Sequence, residues 1–129
     1  MSKVNRFEEL VVWQKARELS KDIYSYTKRG EFKFDTRFVQ QIRAASGSVM
    51  DNIAEGFERA GNKEFINFLY IAKGSCGEVR SQIARALDAE YINDEEYRLL
   101  YIKCINLSSN IMKFISSITE SEYKGPKYS

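Results

Sequence analysis

Apolar residues recur along this chain at alternating steps of three and four, in four long stretches separated by short polar breaks. In the first stretch Val12, Ala16, Leu19, Ile23 and Tyr26 fall on one stripe. That heptad-like spacing predicts a helix packed against others with a left-handed twist. Asn5 is placed to cap it and Glu8, three residues on, to cap in return, so the expected helix runs from Phe7 to about Lys28. Leu10, Val11 and Trp13 widen the stripe at its start, either as a second contact surface or as cover for the core's edge.

Residues 29–34 (RGEFKF) read as a linker, with Gly30 ending the first helix in the left-handed conformation. Asp35 or Thr36 then caps a second helix that reaches about Arg59. Its stripe is Phe38, Ile42, Ala45, Val49, Asn52 with Ile53, and Gly56, the thinnest of the four. Gly47 and Gly56 inside a helix each cost about 1 kcal/mol against alanine, so close backbone packing is their expected reason. Ala60 and Gly61 form the next turn, and Asn62 is expected to cap the third helix, from Lys63 to about Glu90.

The third stripe is Phe65, Phe68/Leu69, Ala72, Cys76, Val79, Ile83 and Ala86/Leu87. A turn this short forces helices two and three antiparallel, with position i level with about position 122−i. Asn93 and Glu96 repeat the capping-box pattern before a fourth helix. Its stripe is Tyr97, Leu100/Tyr101, Cys104, Leu107, Ile111, Phe114/Ile115 and Ile118. The fold expected is therefore all-α: an antiparallel up-down-up-down left-handed four-helix bundle over residues 1–119, with a flexible C-terminal tail at 120–129 that holds the only proline.

Composition narrows the chemistry more than the fold. The 129 residues contain no histidine, which removes the commonest general base and metal ligand. Di-iron sites of bundles, which use Glu-x-x-His, fail for that reason. Cys76 and Cys104 lack metal-ligand or redox spacing and are expected as reduced thiols of a cytoplasmic protein. No secretory leader or membrane-spanning run is evident. Gly74-Ser75-Cys76-Gly77 lacks the ending of a phosphate loop and is expected to serve close packing. A Mg²⁺-dependent hydrolase would need two acidic pairs. Glu55 and Glu58 make one, but Glu78 has Ser81 and Gln82 where its partner should be. No cofactor or metal is expected.

Charge is unevenly spread. Ten basic and six acidic residues precede Ala44, while ten basic and twelve acidic follow from there. The candidate nucleic-acid contacts are Lys15, Arg17, Lys21, Arg37 and Arg43, with Lys73 and Arg80 seven apart on the third helix, and exposed aromatics such as Tyr24 are interleaved with them. A second polar set, Gln41, Asn52, Glu55, Ser75 and Glu78, with Gly56 and Gly74, lies on the central hairpin. The expectation is structural: Glu78 meets Arg43 or Gln41 across the hairpin and sets its register.

These same residues carry a resemblance. Leu10-x-x-Trp13-Gln14-Lys15-Ala16, Gln41-Ile42-Arg43-x-Ala45, Asn52-Ile53-Ala54-Glu55-Gly56 and Glu64-Phe65-x-x-Phe68-Leu69-x-x-Ala72-x-Gly74-Ser75-x-x-Glu78 resemble the 23S rRNA intervening-sequence protein family, over residues 7–118. The chain departs from the family at Gly47, at Asp51 and at Ala44, where a second arginine often follows Arg43. The resemblance implies a ring-like homopentamer of four-helix bundles. A similar protein, the accessory variability determinant of diversity-generating retroelements, binds nucleic acid and a reverse transcriptase. The resulting expectation is a non-enzymatic bundle that binds RNA or DNA through a basic face of a pentameric ring, away from membranes. The alternatives are a protein-binding scaffold without nucleic-acid affinity and, third, a Mg²⁺-dependent nucleotide hydrolase.

Overall fold

Four helices follow the four apolar stripes: α1 Val11–Thr27, α2 Thr36–Glu58, α3 Asn62–Asp88 and α4 Asp94–Tyr123. They are seen in a computed structural model that describes residues 4–59 and 61–123. Ala60, named in the expected turn, and residues 124–129 of the expected tail lie outside the described residues. No strand occurs among those described.

The stripes are buried as their spacing requires. Ala16, Leu19 and Ile23 of α1 meet Ile42, Val49 and Ile53 of α2, Leu69, Val79 and Ile83 of α3, and Leu107, Ile111 and Ile115 of α4 in one core. Each helix packs on its two sequence neighbours around the ring, while α1 and α3, and α2 and α4, stay apart. Level pairs give the directions. Ser48 faces Ser75 and Gly56 sits against Phe65 and Phe68, so α2 and α3 are antiparallel in the register read from the turn. Phe65 meets Phe114 while Arg80 lies over Tyr101, so α3 and α4 are antiparallel too. Asp22 pairs with Lys103 and Arg29 with Glu96, which sets α4 antiparallel to α1. Between α3 and α4, the Cys76 thiol donates to the Cys104 carbonyl at 3.3 Å, and both cysteines are buried.

Several ends differ from expectation. Asn5 does not cap α1. Phe7–Glu9 form one 3-10 turn, and Leu10 then takes an extended backbone with φ −74° and ψ 128°. The break buries Leu10 and lets Phe7 pack edge-on to Trp13 at 5.2 Å, which outweighs a continuous first turn. Leu10 and Trp13 thus cover the core's edge, whereas Val11 is left exposed. At the hairpin, Gly61 with φ +98° precedes the helix and Asn62 is its first residue, with no side-chain cap. Helix α4 continues through residues 120–123, which the expected tail had claimed.

Other ends match. Gly30 has φ +55°. Asp35 caps α2, one carboxylate oxygen accepting from the Phe38 N–H at 3.4 Å and the other from the Tyr91 hydroxyl at 2.8 Å. Tyr91 also stacks on Phe32, closing that end of the bundle. Asn93 and Glu96 bond reciprocally at the start of α4, at 2.8 and 3.0 Å.

Candidate nucleic-acid interface

Rotation about each helix axis, more than level, decides where the polar residues point. Arg43 lies on the α1 side of α2. Its Nε donates to the Thr27 hydroxyl at 2.9 Å, and its guanidinium covers the Tyr24 ring at 4.4 Å. Thr27 is itself buried and donates to the Ile23 carbonyl, so it is a rigid anchor. Arg43 therefore does not reach Glu78. Glu78 is exposed on α3 and accepts from Gln82 at 3.4 Å. Gln41 is exposed as well. The expected Glu78 bridge to Arg43 or Gln41 is absent, because register places residues level without turning them toward each other.

Across the middle of the hairpin Ser48 meets Ser75, hydroxyl to hydroxyl at 2.9 Å, and beside the turn Arg59 bridges Glu64 at 3.5 Å. Asn52 donates to both the Ser48 carbonyl and hydroxyl, at 2.8 and 2.9 Å. Gln82 lies almost fully buried in the α3 stripe with no hydrogen bond to its side-chain carbonyl among the described residues. Nothing in its spacing marked it, since it occupies a position where an apolar residue would serve.

The glycines separate into two kinds. A Cβ on Gly56 would lie 2.6 Å from the Phe68 Cβ, so only glycine admits α3 there. Gly47, Gly74 and Gly77 have nothing within 4 Å of such a Cβ. Close packing within the chain explains Gly56 and does not explain the other three.

The seven predicted basic contacts do not share a face. Lys15 shares the side of α1 on which Glu18 and Asp22 meet Lys103 of α4. Arg37 lies on the side of α2 that bonds α3. Lys73 and Arg80 are on α3, diagonal to α1, with Arg80 over Tyr101 at 5.9 Å. Arg17, Lys21 and Lys28 are spaced 4-3-4 with Tyr24, so they fall on the side of α1 where Arg43 of α2 covers that ring. Arg17 stacks near Trp13 at 5.7 Å. None of these four makes a salt bridge to a described residue.

Beside this edge lies a shallow depression of about 590 Å³ on α2. Along α2, Arg43 with Tyr24 lines one end, Asp51, Asn52 and Glu55 line the other, and Ala44, Gly47 and Ser48 lie between. Glu55 is paired with Arg59 at 2.7 Å. The carboxylates considered for a hydrolase do not converge: among the described residues no three Cys, Asp or Glu side chains gather where an ion would sit. No helix of the described residues is long and apolar enough to cross a membrane.

Comparison with known proteins extends this picture. A family model described as 23S rRNA-intervening sequence protein matches residues 8–113. Among solved structures, the chain is similar to a protein of unknown function from the S23 ribosomal protein family of Bacteroides thetaiotaomicron, with a TM-score of 0.73 and 23% identity. The match covers 81% of this chain and 98% of that one, and it is a likeness of fold. No curated protein matches the sequence.

Proposed function

The chain belongs to the 23S rRNA-intervening sequence protein family, and we propose that it is a non-catalytic bundle that binds RNA or DNA along the edge between α1 and α2. The observation that carries this reading is the row Arg17, Lys21, Lys28 and Arg43. These are four cations on one edge, without carboxylate partners, beside an exposed aromatic ring. Phosphates bind such a row by releasing counterions, and bases stack on such a ring. Glu18 and Asp22, on the α4 side of α1, both pair with Lys103 and not with this row.

One row of four cations is a weak site alone. Repeating it around a ring multiplies it, and the family resemblance supports a homopentamer. The reduced thiols suit a cytoplasmic protein.

The test is binding of labelled RNA and DNA across a salt series, with the native mass recorded alongside. Log affinity should fall linearly with log salt, and charge reversal at Lys21 together with Arg17 should reduce that slope by about one to two units. An intact pentamer that binds nothing at low salt would leave the scaffold reading in its place. Metal-dependent turnover of a nucleotide, lost in Glu55→Gln, would establish the hydrolase instead.

A further inference from the structure

The α2 depression contains more than a phosphate site needs. Its floor is stripped of side chains where Gly47 leaves open space. On one rim, the Tyr24–Arg43 stack is held rigid by Thr27. On the other, Asp51 carries a carboxylate with no salt bridge to a described residue. The Asn52 amide nitrogen is occupied by Ser48, which leaves its carbonyl oxygen to accept. Arg43 and Asp51 are eight residues apart, roughly 12 Å along the axis, with Gly47 midway. The site therefore offers donors and a flat cation at one end and acceptors at the other, over a floor open to a planar group.

A polyanion alone would avoid Asp51. A nucleobase with donors on its edge would not. Guanine is the base that presents two adjacent donors, N1–H and the 2-amino group, matched to a carboxylate. In a duplex its N1–H is consumed by pairing, so only an unpaired guanine can use it.

We propose that the depression between the Tyr24–Arg43 stack and Asp51 binds an unpaired guanine of a single-stranded nucleic acid. The ring stacks on the Arg43–Tyr24 face, Asp51 accepts from N1–H and the 2-amino group, and the flanking phosphates run along Arg17 and Lys21. This rests on the nucleic-acid reading above and adds the base and the strandedness to it.

The test uses the full chain and short single-stranded oligonucleotides, RNA and DNA in separate arms. Each has a central guanine, inosine or cytosine in an otherwise identical sequence. Inosine lacks only the 2-amino group. Guanine should bind about 5- to 100-fold more tightly than inosine, the range of a good bidentate base contact. In Asp51→Asn the guanine and inosine affinities should converge, while the cytosine oligonucleotide binds as well as or better than before. Asp51 is exposed, so an unchanged helical spectrum for this variant is expected. Equal binding of guanine and inosine by the natural chain, with salt dependence intact, overturns the guanine site and leaves the interface standing. Guanine bound more tightly in its paired form than unpaired also overturns it. A chain that binds no oligonucleotide at low salt overturns both.

Discussion

Helices α2 and α3 are joined by shape, whereas α1 and α4 are joined by charge. On the first seam Gly56 admits Phe68, and Ser48 meets Ser75. On the second, Lys103 bridges Glu18 and Asp22, and Arg29 pairs with Glu96, all at least partly exposed. Contact between α1 and α4 is also the thinnest in the ring. A steric fit tolerates no slip, because a displaced phenylalanine collides. An exposed ion pair is screened by water and reforms after a small shift. The hairpin therefore sets the register, and the α1–α4 seam follows it.

The largest way to break this contrast is at Gly56. Gly56→Val should destabilise the bundle by about 3 kcal/mol and Gly56→Ala by about 1–2 kcal/mol, since the Phe68 Cβ is anchored to its backbone and cannot yield. Chemical denaturation measures both. The same change on the outer face should act in the opposite direction. Gly74→Ala should stabilise the chain by up to about 1 kcal/mol, because the new methyl meets open space and the helix gains propensity. Loss of stability there would show that the outer glycine serves an interior role after all. Ser75→Ala should cost about 0.5–1 kcal/mol, the usual worth of one hydrogen bond.

The smallest effects belong to the charged seam. Glu96→Gln should cost at most about 0.5 kcal/mol at neutral pH, and less in high salt. Its signature is in acid. The Arg29 hydrogen bond and the Asn93 N–H hold the Glu96 carboxyl below its ordinary range. A lowered carboxyl contributes stability above its unfolded value and loses it as pH falls through the folded one. Thermal melts at neutral pH and at about pH 3 should show a smaller acid loss in Glu96→Gln than in the natural chain. For Lys103, burial opposes the charge, but bonds to Asp22 and Glu18 outweigh it and raise the ammonium. That contribution persists below the ordinary lysine range and is lost only in stronger alkali.

The four helices were legible because burial imposes their period. Val12, Ala16, Leu19 and Ile23 are all buried, as are Cys104, Leu107, Ile111 and Ile115. The hairpin register was legible because the turn is short. The start of α1 was not, since Leu10 and Phe7 gain more from tertiary burial than Asn5 offers as a cap. The Glu78 bridge failed for a different reason. Arg43 and Glu78 were expected to meet, but Arg43 is turned toward α1 and Glu78 toward solvent. One residue of sequence, about 100° around the helix, separates a buried bridge from a surface rim. The basic set dispersed likewise: α1 and α3 are diagonal, so Lys73 and Arg80 cannot join Arg17 and Lys21 within one chain.

Cys76 and Cys104 give this bundle a built-in clock. Both sulfurs are almost wholly enclosed between α3 and α4. The neighbouring Cys76 side chain and its own burial push the Cys104 thiol up, so it stays protonated in place. A thiol reagent can reach either sulfur only when the two helices part. The labelling rate therefore counts opening events of that one seam, independently of any ligand on the other side of the molecule.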